Sequence, residues 1–321
     1  MNAAGGALCR DFGLERPIFQ GGMGYVATGR LAAAVSAAGG LGVIATGGYM
    51  TERELREHIA RVRDEAPGRP FGVNVLLPGG ARDEDGFANL QLLRAELDVC
   101  LDERVPVLLC GLGDPTSLIA EAHAAGMRVV PIVGSVKAAR KVAAAGADAV
   151  VAQGNEAGGH VGPVGTLTLG QAVLRAVDCP VLLAGGIATG AAVGAAMGAG
   201  AAGVSVGTRF LASLESDAHD DYKQAVVDAD ERSTVVTPAC TGKPSRALRN
   251  PFTELWEGRE HEIEPYPAQA IAEFWRGRAG AVDGDLVHGF LPAGQCAGLI
   301  DEVLGAGEIV DRLATGAEVV A

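Results

Sequence analysis

The sequence predicts a (β/α)₈ barrel, a closed ring of eight parallel strands each followed by a helix, with an α-rich segment after the last strand. Short β-branched runs alternate with longer Ala-rich runs of helical period, the pattern of βα units on a parallel sheet. The runs that read as strands number eight, the barrel number. The chain is 48% hydrophobic but only 4% aromatic, with 47 glycines in 321 residues, so its core must pack Ala, Val, Leu and Ile between closely approaching helices and strands.

In chain order, the predicted strands are residues 17–20, 41–45, 71–77, 105–109, 128–133, 147–152, 181–184 and 203–206. Their near-continuous apolar character suits a sheet covered on both faces. Between them, residues 29–38, 51–65 and 136–145 carry apolar stripes at helical spacing. Gly39-Gly40, Gly126, Gly146 and Gly200 stand where these helices must stop, at the position that tolerates positive φ. After Thr208 the pattern changes: 215–232 is polar and helix-like, 237–267 is punctuated by Pro, Gly and Arg, and 294–313 is amphipathic. We expect a barrel over residues 1–214 and, over 215–321, an α-rich extension that caps the barrel mouth and sends its last helix back onto the barrel.

A net charge of −13 with no Lys/Arg cluster argues against nucleic acid, although a phosphate can still be held locally by backbone N–H groups. The six cysteines are scattered without metal-ligand or disulfide spacing, which fits a reducing cytosol. Neither a secretory leader nor a bilayer-length apolar run is evident, so a cytoplasmic protein is expected.

Function in a barrel collects at the carboxyl ends of the strands. Those ends read Gly21-Gly22-Met23-Gly24 after strand one, Asn74 in strand three, Gln153 through His160 after strand six, Gly185-Gly186 after strand seven, and Gly207-Thr208 after strand eight. The last two loops are the usual barrel phosphate site, where glycine lets N–H groups approach an anion and Thr208 adds a hydroxyl. Tight turns alone would explain one such pair, but two on consecutive strands favour the phosphate. His160, preceded by two glycines, is the candidate acid/base, because imidazole titrates near neutrality; a hydrogen-bonded turn histidine is the plainer alternative. Glu156 reads better as a loop-fixing carboxylate, Cys110 as a buried thiol, and Met23 as either a ring contact or core filler.

At these residues the chain resembles the nitronate monooxygenase family, formerly the 2-nitropropane dioxygenases, and the related flavin-dependent enoyl-ACP reductases. Six ordered blocks carry the resemblance: 17–23, 31–42, 70–74, 153–160, 184–187 and 207–210. It implies non-covalent FMN, with Gly22, Met23, Asn74, Gln153, Gly158, Gly159, Gly185, Gly186, Ser205, Val206, Gly207 and Thr208 around it and His160 as the acid/base. Gln153 and the run into His160 resemble the monooxygenases, while 21–27 resembles the reductases with Tyr25 in place of a Trp. Oxidation of a nitroalkane or nitronate with O₂ is therefore the first expectation. The alternative is reduction of an enoyl thioester, free or on a carrier protein, with NAD(P)H as donor. A non-catalytic binding barrel is a third reading, disfavoured by the intact loops and histidine. A small-molecule substrate is implied, and a homo-oligomer is left open.

Overall fold

A computed structural model describes residues 1–47, 49–77 and 90–318. Eleven strands occur among them: β1 (Ile18–Gln20), β2 (Gly42–Ala45), β3 (Phe71–Leu76), β4 (Val107–Gly111), β5 (Arg128–Val133), β6 (Val150–Gln153), β7 (Gly159–His160), β8 (Val181–Ala184), β9 (Gly203–Val206), β10 (Thr234–Thr237) and β11 (Ser245–Leu248). Eight of them pair in parallel in the order β1-β9-β8-β6-β5-β4-β3-β2. The ring closes between its two ends, where Leu41 N–H donates to the Ile18 carbonyl and Gln20 N–H to the Leu41 carbonyl, each at 2.9 Å. This is the (β/α)₈ barrel the sequence predicts.

Alternation along the strands sorts the core into two layers. Phe19, Val43, Leu109, Val130, Val151 and Leu182 fill the barrel interior, while Ile18, Ile44, Val73, Leu108, Val129 and Val204 pack outward under the helices. Helix Ala3–Phe12 plugs the amino-terminal end: Leu8 and Phe12 join the interior layer, and the Phe12 and Phe19 rings lie 5.7 Å apart. The opposite end, where the strands' carboxyl termini point, is thereby left as the open mouth.

Most predicted elements recur with small shifts. Helices run over Gly29–Ala37, Glu52–Glu65 and Val136–Ala144, the second opened by a Thr51/Glu54 capping box. Gly39, Gly126, Gly146 and Gly200 all have positive φ, between 81° and 101°. Two strands begin two or more residues later than predicted. Val105 N–H closes the preceding helix on Cys100 and Pro106 has no N–H to donate, so pairing starts at Val107. Ahead of β6, the Asp148 carboxylate accepts from Val129 N–H at 2.7 Å and meets His123 Nε2 at 2.9 Å.

The segment after the barrel departs from a purely helical reading. It holds helices such as Asp220–Val227, Pro251–Leu255 and Trp275–Ala281, but also the hairpin β10–β11, which adds β7 as a third antiparallel strand. Thr234-Val235-Val236-Thr237 is a β-branched run, and its strand propensity wins once β11 offers a partner. The last helix, Ala306–Glu318, packs on helices Gly190–Gly198 and Gly29–Ala37. Its contact with the former is glycine on glycine: a Cβ at Gly190 would lie 2.7 Å from the Gly316 carbonyl carbon and 2.9 Å from the Arg312 oxygen. Gly190→Ala is expected to lower stability by about 1–3 kcal/mol, the usual cost of overpacking, read by denaturant unfolding. No helix among the described residues is long and apolar enough to cross a membrane.

Candidate active site

The loops after the strands enclose a cavity of about 730 Å³ at the barrel mouth, roofed by the segment that follows the barrel. Gly22, Met23, Asn74, Gln153, Gly158, Gly159, His160, Gly185, Gly186, Ser205, Gly207 and Thr208 all line it. Val206 is the exception among the sequence candidates: its side chain is buried in the outer layer, and it contributes a carbonyl that accepts from Gly21 N–H at 2.8 Å.

On one side the backbone is shaped for close approach. A Cβ on Gly22 would lie 2.6 Å from both Cβ and Cγ of Asn74, so only glycine lets the β1 loop cross the buried Asn74 carboxamide. Gly185 and Gly186 adopt φ of 108° and 74°. Among the described residues, the N–H groups of Gly186 and Thr208 have no protein acceptor. Thr208 Oγ1 accepts from Gly294 N–H at 2.9 Å, and Gln295 N–H donates to the Glu156 carbonyl at 2.9 Å, so the strap after the barrel is tied to the phosphate-side loops.

His160 is held from three directions. Its carbonyl accepts from Gln153 Nε2 at 2.7 Å. Its backbone lies in β7, opposite Ser245 of β11. Its Nε2 meets Thr241 Oγ1 at 2.8 Å. Arg246 locks the same loop to the hairpin by donating to the Asn155 carbonyl at 2.9 Å and to Asn155 Oδ1 at 2.8 Å. Glu156 is engaged as a brace, its Oε2 accepting from Thr166 N–H at 2.7 Å and Thr166 Oγ1 at 2.6 Å. Burial, reinforced by the nearby Lys243 charge, pushes the His160 pKa down to about 4, so the imidazole is neutral at pH 7. Its Nδ1 has no protein partner among the described residues.

Across the mouth, Tyr25 stacks on Tyr49 with centroids 3.9 Å apart and planes 15° apart. Tyr25 has φ of 66°, a left-handed conformation for a bulky residue, held by its N–H on the Tyr49 hydroxyl. That hydroxyl donates to the Ala45 carbonyl at 3.1 Å. Burial pushes the Tyr25 pKa up to about 12 and raises that of Tyr49, so both phenols stay neutral. Cys110 is a buried thiol pushed up to about 12 by burial. Sequence reasoning passed over Thr241, Lys243 and Tyr49; Thr241 and Lys243 lie about eighty positions from the histidine they adjoin, and only the β7–β11 pairing brings them together.

FMN fits this mouth. Gly186 and Thr208 would offer its phosphate unpaired N–H groups, and Thr208 a hydroxyl. Asn74 Nδ2 and Gln153 Nε2 each give one N–H to the Val75 and His160 carbonyls, leaving a second N–H and the carboxamide oxygen of each to donate to and accept from a flavin edge.

Such a barrel, with glycine-rich loops after its last two parallel strands and a neutral histidine over its mouth, has the groups a flavin-binding oxidoreductase would use. The family model described as "Nitronate monooxygenase" matches residues 7–316. FabK from Thermotoga maritima is 42% identical, with a TM-score of 0.88 and coverage of 97% of this chain and 96% of that one. The nitroalkane oxidase of Streptomyces ansochromogenes is 35% identical, with a TM-score of 0.86 and coverage of 98% and 99%. The (3aS,4S,5R,7aS)-5-hydroxy-7a-methyl-1-oxo-octahydro-1H-indene-4-carboxyl-CoA dehydrogenase of Rhodococcus jostii is 33% identical over 97% of this chain and 95% of its own length. The chain belongs to the nitronate monooxygenase family and is an FMN-dependent oxidoreductase.

Proposed function

We propose that this enzyme reduces an α,β-unsaturated acyl thioester with NAD(P)H as donor, the second of the two reactions that the sequence leaves open. The observation that carries this reading is the cavity. Ligand sites commonly enclose about 300–1,000 Å³, and the 730 Å³ here takes apolar lining from two parts of the chain. Leu76, Leu77 and Leu112 come from the barrel loops and Ala270, Phe274 and Phe290 from the extension, and all six line the cavity. The same cavity must first hold FMN, and the apolar lining beside the flavin site suits an acyl chain. Similarity to FabK, of the enoyl-ACP reductase type, and to a dehydrogenase of a CoA thioester supports the same substrate class.

FMN, when bound, supplies the hydride chemistry; the chain's own residues set where the charge goes. Thr241 Oγ1 receives Lys243 N–H at 3.3 Å and sits 2.8 Å from His160 Nε2, whereas its alternative acceptor, the Lys243 carbonyl, is 3.4 Å away. The shorter path has the hydroxyl donating to Nε2, which leaves the proton on Nδ1. A neutral imidazole bearing Nδ1–H polarises a thioester carbonyl by hydrogen bonding without surrendering its proton. The proton that completes the product at Cα then comes from water.

Nitroalkane oxidation is the second reading, favoured by the neutral state of His160: with Nε2–H donating to Thr241, a bare Nδ1 would be a competent base for a C–H proton. Steady-state comparison of crotonyl-CoA with NADH or NADPH under nitrogen, against nitroethane and ethylnitronate in air, tests the choice. A kcat/KM at least about tenfold higher for the thioester is expected, a difference of 1.4 kcal/mol in transition-state stabilisation. Turnover of the nitro compounds alone would overturn it.

A further inference from the structure

We propose that Lys243 is the fixed positive charge that holds the acyl oxygen of the bound thioester as it becomes anionic, acting beside His160 in one oxyanion site; this rests on the thioester reading above. Lys243 is partly buried, lines the cavity, and carries its Nζ 3.8 Å from the centroid of the Tyr266 ring. Among the described residues no carboxylate lies within 4 Å of that ammonium, so its charge is free to face the cavity. A partly desolvated ammonium whose partner is an aromatic ring keeps its full charge, and a ligand of opposite sign on the cavity side would meet it favourably.

The main chain of Lys243 is anchored beside the histidine, and the Tyr266 ring meets the ammonium end. Lys243 N–H is tied to Thr241 Oγ1, and the next residue, Pro244, accepts from Val161 N–H at 3.1 Å, extending the β7–β11 pairing past His160. Thr241, Lys243 and His160 are thus parts of one short strand crossing. The Lys243 charge is felt at His160, where it opposes protonation, and burial in turn pushes the Lys243 pKa down. A neutral hydrogen-bond donor and a preset cation on one wall are the components of an oxyanion site. When a hydride adds to Cβ, the C=C electron pair moves into the Cα–carbonyl bond and negative charge arrives on the carbonyl oxygen. Lys243 and His160 hold that charge until Cα takes a proton from water and the C=O bond re-forms.

The test uses FMN-loaded enzyme with two probes: butyryl-CoA, whose acyl oxygen is neutral, and acetoacetyl-CoA, which can ionise to an enolate. Equilibrium titration of Lys243→Met should show acetoacetyl-CoA affinity reduced about tenfold or more and its enolate absorbance band lost, with butyryl-CoA affinity within about twofold of the parent. Lys243→Arg should keep most of the enolate band. The kcat/KM of Lys243→Met on crotonyl-CoA should fall about 100-fold, the usual effect of losing one oxyanion contact. Equal losses for both probes would mark Lys243 as structural and overturn the proposal, as would parent-like binding of acetoacetyl-CoA by Lys243→Met. A parent enzyme that binds neither thioester would overturn the thioester reading and this proposal with it.

Discussion

His160→Ala should retain the fold and the bound FMN while crotonyl-CoA turnover drops by about 10²- to 10³-fold, the cost of removing one preset donor from a developing oxyanion. The imidazole sits at the mouth in a glycine-rich loop that is held by Gln153, Arg246 and the β11 strand through main-chain groups and Asn155, so its loss leaves the loop's own restraints in place. If the nitroalkane reading holds instead, the same variant loses turnover of neutral nitroethane but keeps that of preformed ethylnitronate, which needs no base. The substitution also has a stability signature. His160 has a native pKa of about 4 against 6.5 for an unperturbed imidazole, so between those values the unfolded chain binds a proton that the native state does not. Its contribution is therefore fully present above pH 6.5 and is lost as pH falls toward 4. The parent's Tm should drop more between pH 7 and pH 5 than that of His160→Ala, the carboxylates common to both cancelling in the comparison.

Gly22→Ala is the substitution expected to strike the cofactor hardest. Its Cβ would meet the Cβ and Cγ of buried Asn74 at 2.6 Å, and because Asn74 Cβ is fixed by strand β3, rotation of the carboxamide alone cannot relieve the contact. The β1 loop must lift, and with it the floor on which FMN would lie. Overpacking of this kind costs about 1–3 kcal/mol, which corresponds to FMN retained roughly 5- to 150-fold more weakly. Fluorescence titration of the apoprotein with FMN reads the effect directly. Parent-like affinity would place the cofactor away from the β1 loop.

The two variants touch the parts of the molecule that the sequence made legible to different degrees. All eight barrel strands announce themselves through local apolar runs, most of them followed at once by glycine, and those signals also mark Gly22, Gly185-Gly186 and Gly207-Thr208 as mouth residues. The strand starts are less legible, because Pro106 and Asp148 act through a missing donor and through side-chain hydrogen bonds rather than through hydrophobic pattern. His160 stands out as a lone histidine in a glycine-rich loop, yet nothing near it in sequence announces Thr241 or Lys243. That neighbourhood is created by pairing His160 with Ser245, a contact across 85 positions whose information lies in tertiary structure and not in periodicity. The Thr234–Thr237 run was readable as a strand from its β-branched residues, but a hairpin is stable only with a further partner, and that partner is the two-residue strand carrying His160. Val206, which the resemblance sets beside the cofactor, has its side chain turned outward by strand alternation, so any contact there would be through its backbone.

The claim that electrons pass to an unsaturated thioester is tested most directly in a single turnover. Enzyme reduced with one equivalent of NADH or NADPH under strictly anaerobic conditions is mixed with crotonyl-CoA in a stopped-flow instrument, and the return of oxidised flavin absorbance is followed. The account predicts full reoxidation at a rate that rises with crotonyl-CoA concentration and saturates, with butyryl-CoA formed in equal amount and the rate lowered at least about 100-fold in His160→Ala. Reduced enzyme that stays reduced in crotonyl-CoA and reoxidises only when oxygen is admitted would contradict it.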